Sequence, residues 1–307
     1  MMRILLLGKN GQIGWELHRS LSSIGIVRAV GRTECDLTDL AAVRRMVSED
    51  LPDVIVNAAA YTAVDRAESE PEVAHLVNAT LPAVLAELAA TSNASLIHYS
   101  TDYVFDGAAA RAYTETDLPN PVSAYGRSKL AGEHAIRQTQ ASHLTLRTSW
   151  VYAQRGQNFL RTMLRLMRER EELRVVDDQF GAPTWGRTIA DITAAVLARA
   201  GSTREAVSES LRERGGTLHL TAAGETTWCG FAAAIRDGTT DPKRILRTIT
   251  PITTAQYPTP AARPANSRLS CDRLRQLWQV HLPTWTEALR LCLNEQPDGV
   301  HPAPATS

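Results

Sequence analysis

The chain has 307 residues, of which 44% are hydrophobic and 21% charged, a composition typical of globular proteins and unlike that of disordered, collagen-like or coiled-coil chains. Its 33 basic and 33 acidic residues balance, so no net charge favours nucleic acid or an anionic membrane surface. The N-terminus lacks the layout of a signal peptide, and no apolar run approaches the length of a membrane span. We therefore expect a cytoplasmic protein without nucleic-acid or membrane partners.

Short aliphatic runs alternate with amphipathic helical patterns through the first half of the chain. This alternation predicts an α/β fold of the Rossmann type, in which a doubly wound parallel sheet carries helices on both faces. The predicted strands are 4–7, 26–30, 54–56, 96–99 and 144–147, and the helices after the first lie near 39–49, 82–91 and 126–139.

The alternation loosens after about residue 150, where glycine- and proline-rich loop signals occur at 180–183 and 257–264. Helices are predicted at 160–170, 188–200 and 284–293, with a short strand at 217–220. We expect a smaller C-terminal α/β domain that binds substrate. The expected division assigns 1–150 and about 186–212 to the nucleotide-binding domain, 151–185 and 213–295 to the substrate-binding domain, and 296–307 to a disordered tail.

The cysteine and histidine content argues against disulfides and metals. The four cysteines are widely separated and too few for a disulfide framework. The eight histidines do not supply the short ligand spacing of a zinc site. We therefore expect reduced cysteines and no metal site.

A glycine-rich segment follows the first predicted strand directly and leads into an amphipathic helix. Its Gly-x-x-Gly-x-x-Gly spacing lets the backbone turn tightly against a pyrophosphate at the positive end of a helix. A turn without a ligand is the alternative, but the strand and helix on either side favour dinucleotide binding. The expected contacts are Gly8, Asn10, Gly11, Gln12, Ile13 and Gly14.

The end of the second predicted strand indicates which nicotinamide cofactor binds. NAD-specific sites usually carry an acidic residue there, whereas this chain has Arg32, and an arginine can pair with the 2′-phosphate of NADPH. NADPH is therefore expected and NADH is the alternative, since Arg32 could also be a solvated loop charge. Asp36 and Leu37 are expected beside the adenine, with helix capping as the alternative for Asp36.

Small and polar residues end two further strands, at the edge where open α/β sheets bind ligands. Ala59, Ala60 and Thr62 follow the strand at 54–56 and leave room for a nicotinamide ribose. The cluster Tyr-Ser-Thr-Asp-Tyr at 99–103 ends the next strand. Buried hydroxyl groups need hydrogen-bond partners, for which a substrate carbonyl is a candidate.

Tyr125 and Lys129 stand four residues apart at the head of a predicted helix, so they share one helix face. A nearby ammonium lowers the pKa of a tyrosine from its usual value of about 10. The pair is therefore a candidate acid and its electrostatic partner. Alone the pattern is weak, because any helix can show it by chance.

Taken together and in this order, the motifs resemble the extended short-chain dehydrogenase/reductase family. Segments at 57–68, 148–152, 178–184 and 263–269 extend the resemblance over nearly the whole chain. It implies reduction of the C4 ketone of dTDP-4-dehydro-L-rhamnose by NADPH to dTDP-L-rhamnose. It also implies that Tyr125 donates a proton to the forming alkoxide, Thr101 hydrogen-bonds the same oxygen, and Lys129 holds the cofactor ribose.

The resemblance further implies a sugar pocket and a nucleotide diphosphate site. The residues implied for the sugar are Val64, Thr101, Asp102, Tyr103, Tyr125 and Trp150, and those implied near the diphosphate are Arg263, Asn266 and Arg268. Core packing is the alternative for Trp150. A solvated loop is the alternative for the two arginines.

Some members of the family pair subunits through a magnesium ion held by glutamates. Glu16 matches one such position, but Arg187 stands where another acidic ligand is expected, and Mg²⁺ prefers carboxylate oxygens to a cation. We therefore predict no magnesium site. The sequence leaves the oligomeric state open, a homodimer being one arrangement.

Two other functions remain alternatives. One is another nucleotide-sugar reductase or an epimerase of the same family; a dehydratase is disfavoured because Asp102 and Tyr103 follow Thr101 where dehydratases usually carry an Asp-Glu pair. The other is a non-enzymatic regulatory subunit with a reductase-like fold, which loss of Tyr125 or Lys129 would favour. Both residues are present.

Overall fold

The structure is a computed structural model and describes residues 1–295, so the tail predicted at 296–307 lies outside the described residues. The strands are β1 (Met2–Leu7), β2 (Gly25–Val30), β3 (Val54–Asn57), β4 (Ser95–Thr101), β5 (Ser142–Thr148), β6 (Val151–Tyr152), β7 (Glu172–Val176), β8 (Phe180–Gly181), β9 (Thr184–Trp185), β10 (Gly216–His219), β11 (Thr226–Thr227) and β12 (Thr248–Ile252). The α-helices are α1 (Gln12–Leu21), α2 (Leu40–Asp50), α3 (Val64–Ala67), α4 (Pro71–His75), α5 (Leu81–Ser92), α6 (Ala124–Arg137), α7 (Phe159–Glu169), α8 (Gly186–Ala200), α9 (Arg204–Arg214), α10 (Trp228–Gly238), α11 (Asp272–Trp278) and α12 (Trp285–Asn294). A π-helical turn (Leu76–Thr80) joins α4 to α5, and 3₁₀ turns lie at Asp102–Val104 and Thr254–Gln256.

Six parallel strands form the central sheet in the order β2-β1-β3-β4-β5-β10. Leu7 at the end of β1 pairs with Val30 on one side and Asn57 on the other. The chain runs outward from β1 to β2 and then returns as β3 on the other side of β1, so β1 and β3 flank a topological switch point. The carboxyl edge there is where such sheets bind ligands. The predicted α/β fold class is confirmed.

Helices cover both faces of the sheet because its central strands are apolar on both sides. On one face Leu17 of α1 and Ile189 of α8 pack against the strands. On the other face Val43 of α2 and Leu85 of α5 do the same, and all four side chains are fully buried. These two layers hold the strand ends, and therefore the loops that follow them, in fixed positions.

A smaller unit built from α7, α10 and α12 has its own apolar core, in which Tyr152, Phe231 and Leu289 are buried. The position of strand β10 contradicts the expected division, which placed residues 213–295 in the second domain. Leu218 of β10 pairs with Leu146 of β5 in the central sheet, because β5 would otherwise be an edge strand with unpaired backbone groups. The other domain boundaries remain a proposal.

The continuous helical run of 22 residues from Pro71 to Ser92 is long and apolar enough to cross a membrane. By this measure the expectation that no apolar segment reaches the length of a span is wrong. Half of an 18-residue apolar stretch in this run is buried inside the protein, and α5 packs against α2 and α6. A core helix of this kind meets the same criterion, so the run is weak support for a membrane span.

An ion pair lies inside the core between α6 and β5. Glu133 is fully buried, and it accepts hydrogen bonds from Arg147 Nε at 2.9 Å and from Ser100 Oγ at 2.6 Å. A second bond of 2.6 Å from Arg147 completes a bidentate pair. Since neither charge reaches water, each depends on the other for compensation.

We expect Glu133→Ala to lower the free energy of unfolding by about 3–5 kcal/mol, because it leaves the Arg147 guanidinium buried and unpaired. Urea denaturation measures the change. The control is Glu169→Ala, which removes an exposed pair with Arg165 on α7 and should change the free energy by less than about 1 kcal/mol. Equal effects of the two variants would contradict a structural role for the buried pair.

Candidate active site

The glycine loop between β1 and α1 is packed so closely that two of its glycines cannot be replaced. Gly8 has a positive φ of 84°, and a Cβ there would lie 2.7 Å from the Ala59 backbone nitrogen. A Cβ on Gly14 would lie 2.0 Å from Gly8 O. Within the described residues no side chain caps α1 at Gly11, so the first-turn N–H groups can receive an anion. This cradle fits a dinucleotide pyrophosphate.

The other predicted residues of the loop have distinct surroundings. Asn10 is exposed at its tip. Gln12 accepts a hydrogen bond of 2.8 Å from Asn158 Nδ2 and so links the loop to the start of α7. Ile13 packs on the sheet core, which leaves its backbone as the part that faces a ligand.

The predicted adenine end lies beyond β2. Arg32 is exposed and is available to a phosphate. The Asp36 carboxylate accepts hydrogen bonds from Thr38 N at 2.9 Å and Thr38 Oγ1 at 2.7 Å. These bonds form a local turn, and Asp39 is the residue that caps α2, so the capping alternative for Asp36 is wrong. Leu37 packs against the core of the sheet.

The loop after β3 lies beside the glycine loop, since Gly8 and Ala59 approach each other there. Ala59 and Ala60 are partly buried and Thr62 is exposed. The Ala59 N–H donates to Asn57 Oδ1 at 3.2 Å, so the last side chain of β3 holds this loop.

Tyr125 and Thr101 come together where α6 meets the end of β4. Ser123 caps α6, its Oγ accepting from Gly126 N at 3.1 Å, and this cap sets Tyr125 in the first turn. The Tyr125 ring packs edge-on against Tyr103 with centroids 5.6 Å apart. Thr101 Oγ1 accepts from Tyr103 N at 3.2 Å and donates to Asp102 Oδ1 at 3.0 Å. The cluster therefore offers hydroxyl groups and a carboxylate in one buried place.

Burial controls the acidity of this cluster. It raises the pKa of Tyr125, which a hydrogen bond with Thr101 opposes and the nearby Asp102 charge reinforces. It also raises the pKa of Asp102, to about 6. Burial thus decides the direction of the shift, and Lys129 is not among the groups that shift the pKa of Tyr125 in this structure. A tyrosine with a raised pKa keeps its proton at neutral pH and can donate it.

Lys129 is buried one helical turn beyond Tyr125, where desolvation lowers its pKa to about 8 while Glu133 opposes the shift. Its Nζ donates to Tyr99 O at 2.6 Å and lies 3.3 Å from His98 Nε2. These contacts, and not the tyrosine hydroxyl, fix the position of the amine.

Two tryptophans stack on each other near the ends of β6 and β11. Trp150 has a positive φ of 48°, an uncommon conformation for a bulky residue and one that indicates strain. Its ring stacks on Trp228 with centroids 3.6 Å apart. A Cβ on Gly181 would lie 2.5 Å from the Trp150 ring, so this glycine gives the ring its place. Val64, the first residue of α3, packs in the same small cluster as Tyr125.

The residues expected near a diphosphate divide into two groups. Arg263 donates to Tyr103 Oη at 3.1 Å and to Asp65 Oδ2 at 2.9 Å, so its guanidinium reaches the rim of the tyrosine cluster. Asn266 is buried, and its amide donates at 2.7 Å to both Ala109 O and Arg111 O. Its side chain therefore holds a loop.

Arg268 also makes contacts within the protein. It donates to Asn266 Oδ1 at 2.8 Å and to Ala110 O at 2.6 Å, and it pairs with Glu225 at 3.1 Å. These partners favour a structural role for Arg268, close to the alternative of a loop residue.

The residues present do not fit a magnesium ion. Arg187 Nε donates to Glu16 Oε2 at 2.9 Å, and the same guanidinium pairs with Glu295. The arginine thus places a positive charge between two carboxylates, where a cation would need to bind. No group of three His, Cys, Asp or Glu side chains among residues 1–295 could hold a metal.

Three features now stand together: a doubly wound parallel sheet, a glycine cradle at its switch point, and a buried tyrosine and lysine one helical turn apart beside it. They define a nicotinamide-dependent oxidoreductase of the extended short-chain dehydrogenase/reductase type. The family model described as RmlD substrate binding domain matches residues 2–297. The chain belongs to this family.

Several similar proteins are dTDP-4-dehydrorhamnose reductases. A dTDP-4-dehydrorhamnose reductase from Burkholderia thailandensis is 50% identical over 96% of this chain and 99% of its own length, and one from Escherichia coli K12 is 46% identical over 96% and 98%. The crystal structure of dTDP-4-dehydrorhamnose reductase from Bacillus anthracis in complex with NADP is 32% identical, with a TM-score of 0.86 over 96% of this chain and 99% of that one.

Sequence reasoning missed four residues that support the site: His98 and Glu133, which flank Lys129, Asp65, which holds Arg263, and Trp228, which stacks on Trp150. Glu133 continues the four-residue spacing of the tyrosine and lysine, a signal that could have revealed it. His98 is a polar residue inside an apolar strand, which is a weaker signal. The other two depend on contacts between distant segments.

We expect Gly14→Ala to weaken NADPH binding by at least about tenfold, because the new methyl group displaces the Gly8 carbonyl and opens the cradle. NADPH fluorescence titration measures the change. Gly186→Ala is the control, since a Cβ there meets its nearest atom at 3.4 Å and should leave binding intact. Unchanged binding in Gly14→Ala would contradict the assignment of this loop.

The Arg187 cluster generates a second prediction. Excess Mg²⁺ or a chelator should leave the thermal midpoint of the wild-type protein unchanged, whereas Arg187→Glu should be stabilised by Mg²⁺, because the introduced carboxylate joins Glu16 and Glu295 around one point. Arg165→Glu, an equal charge change on the exposed face of α7, controls for nonspecific ion effects. Stabilisation of the wild-type protein by Mg²⁺ would contradict the conclusion that the Arg187 guanidinium occupies the place of a magnesium ion.

Proposed function

We propose that this protein reduces the C4 ketone of dTDP-4-dehydro-L-rhamnose with NADPH to give dTDP-L-rhamnose. The observation that carries the proposal is the buried Tyr125 and Thr101 pair beside the glycine cradle, in a chain that is 50% identical to a dTDP-4-dehydrorhamnose reductase over nearly its full length. NADPH, when bound, supplies the hydride for the ketone carbon.

Tyr125 is the proton donor in this reaction. Reduction turns a neutral ketone oxygen into an alkoxide, which needs a proton and a hydrogen-bond donor as charge develops. The raised pKa of Tyr125 keeps the phenol protonated before reaction. Thr101, whose hydroxyl donates to Asp102 Oδ1, is the second polar group proposed for the same oxygen. Lys129 contributes positive charge as the tyrosinate forms.

The remaining proposed substrate contacts surround this pair. Val64, Tyr103 and Trp150 supply apolar and aromatic surface for a deoxysugar ring, and the buried Asp102 supplies a hydrogen-bond acceptor for its hydroxyl groups. Arg263, whose guanidinium is partly exposed, is the proposed diphosphate contact. The internal partners of Asn266 and Arg268 give these two a supporting role, in which they fix the loop that carries Arg263.

The proposed cofactor contacts are those of the glycine loop, 8–14, together with Ala59, Ala60 and Thr62 at the ribose and Leu37 near the adenine. Arg32 is the proposed partner of the NADPH 2′-phosphate, because it is exposed and cationic. Glu34 is the carboxylate nearest to Arg32 along the chain. Because Glu34 pairs with Lys9 at 2.7 Å, its charge repels a phosphate less.

The cellular setting is proposed from the same comparisons. We expect a cytoplasmic enzyme, because NADPH and nucleotide sugars are cytoplasmic metabolites, and a homodimer is the assembly we propose to test first by light scattering. In the proposed domain division, residues 1–150 and 186–219 form the cofactor-binding domain. Residues 151–185 and 220–295 form the substrate-binding domain.

Tyr125→Phe should lower turnover by about 10²–10⁴-fold and leave NADPH binding nearly unchanged, because it removes only the transferable proton. Turnover is followed by the loss of nicotinamide absorbance with NADPH and dTDP-4-dehydro-L-rhamnose, and the sugar product is identified by NMR. Tyr113→Phe is the control: it removes a hydroxyl bonded to Asp106 at 2.7 Å, away from the proposed donor, and should keep turnover.

The same assay separates the alternatives. An epimerase would retain its nicotinamide cofactor through a turnover, whereas the proposed reductase consumes one NADPH for each sugar and releases the oxidised form. NADPH binding without oxidation by any nucleotide keto-sugar would favour the regulatory subunit. Retained turnover in Tyr125→Phe would exclude the tyrosine as the donor.

A further inference from the structure

A chain of buried hydrogen bonds runs behind the proposed proton donor. Asn57 at the end of β3, His98 in β4 and Lys129 in α6 are each at most 1% exposed. Asn57 Nδ2 lies 3.1 Å from His98 Nδ1, and His98 Nε2 lies 3.3 Å from Lys129 Nζ. The chain crosses two strands and one helix, and the reaction described above gives no role to its first two members.

The backbone fixes the direction of this chain at one end. The Ala59 N–H can only donate, and it donates to Asn57 Oδ1 at 3.2 Å. The amide NH₂ of Asn57 must therefore face His98, and it makes His98 Nδ1 an acceptor. A neutral imidazole that accepts at Nδ1 carries its proton on Nε2, which is the atom that faces Lys129.

The consequence falls on the charge of Lys129. An ammonium group has three donors and no acceptor, so it cannot accept the His98 Nε2–H, whereas an uncharged amine can. Lys129 Nζ also donates to Tyr99 O at 2.6 Å. All hydrogen bonds in the chain are satisfied together only when the lysine is uncharged.

We propose that Asn57 and His98 are positioning residues that hold the Lys129 amine and stabilise its uncharged form. The inference rests on the proposed function for its kinetic consequence, but the hydrogen-bond direction stands without it. The proposed reaction uses a positive Lys129 beside the forming tyrosinate, so activity declines as pH rises through the pKa of Lys129. Asn57 and His98 then set the pH of that decline.

The surroundings agree with this assignment. Burial lowers the pKa of His98 well below its usual value, and the Lys129 charge lowers it further, so the imidazole stays neutral. Burial lowers the pKa of Lys129 to about 8, while Glu133 from its own helix raises it. Glu133 is bound to Arg147, which reduces its effect. The titratable groups on the other elements packed against α6 are Asp65 and Arg66 on α3, Glu72 and His75 on α4, Glu87 on α5, Tyr99 on β4, and Asp102 and Tyr103 after it.

Asn57→Asp reverses the direction of these hydrogen bonds with almost no change in the shape of the side chain. A carboxylate accepts at both oxygens, so it can bind the Ala59 N–H and also require a proton on His98 Nδ1. His98 Nε2 then becomes an acceptor for a charged Lys129. We expect the alkaline limb of kcat/KM for NADPH oxidation to move to higher pH by about one unit or more.

The control is Asn78→Asp. Asn78 is also fully buried and accepts from a backbone amide, Tyr61 N, at 2.9 Å. Its Nδ2 donates to Tyr61 O and to Ser128 Oγ on α6, each at 3.0 Å, and the hydrogen bonds of Asn78 do not include His98. It adds the same buried charge near the same helix. We expect this variant to keep the wild-type His98 tautomer and to move the alkaline limb less than Asn57→Asp does, because it acts on Lys129 by charge alone.

The test begins with ¹⁵N NMR of the histidine rings in the cofactor-free protein, with His98 assigned from His98→Gln. The proposal expects a neutral ring protonated at Nε2 in the wild-type protein and at Nδ1 in Asn57→Asp. A wild-type ring protonated at Nδ1, or a charged ring at neutral pH, overturns it even if Asn57→Asp does not fold. A switched tautomer with an unmoved alkaline limb overturns the positioning role. A switched tautomer in a protein that oxidises no NADPH upholds the hydrogen-bond chain and overturns the proposed function.

Discussion

The site depends on the burial of a polar stripe along one face of α6. Tyr125, Lys129 and Glu133 recur at four-residue intervals and are all buried. A charge in such an interior is costly unless it is paired or hydrogen-bonded, so Glu133 binds Arg147 from β5 and Lys129 donates to Tyr99 O from β4. Satisfying these groups fixes α6 against two strand ends. The position of the tyrosine follows from that fit.

The order of the strands supplies the other half of the site. Because β3 lies next to β1 on the side opposite β2, the loops that follow β1 and β3 meet at the sheet edge, where a Cβ on Gly8 would strike the Ala59 backbone. The same edge receives the smaller unit through the hydrogen bond between Gln12 and Asn158. The glycine cradle is therefore a meeting point of three segments far apart in the sequence.

Sequence patterns predicted the parts of this arrangement that depend on local spacing. The glycine loop and the pairing of Tyr125 with Lys129 need only the geometry of one turn or one helix, and the strand alternation fixed the fold class. The sequence could not show that Asn57 and His98 meet, since their contact depends on the register of neighbouring strands. Nor could it show that Asn266 holds the 109–111 loop, because an asparagine suits a ligand and a backbone carbonyl equally well.

Burial also bears on the direction of the chemistry. It raises the pKa of Tyr125 and lowers that of Lys129, so it moves the two pKa values apart and disfavours a tyrosinate–ammonium pair. A reduction starts from protonated tyrosine and needs positive charge only as the proton leaves. An oxidation would start from tyrosinate, which this interior disfavours because it desolvates the anion. The same low-dielectric environment that requires the polar stripe to be satisfied therefore keeps Tyr125 protonated before the reduction begins.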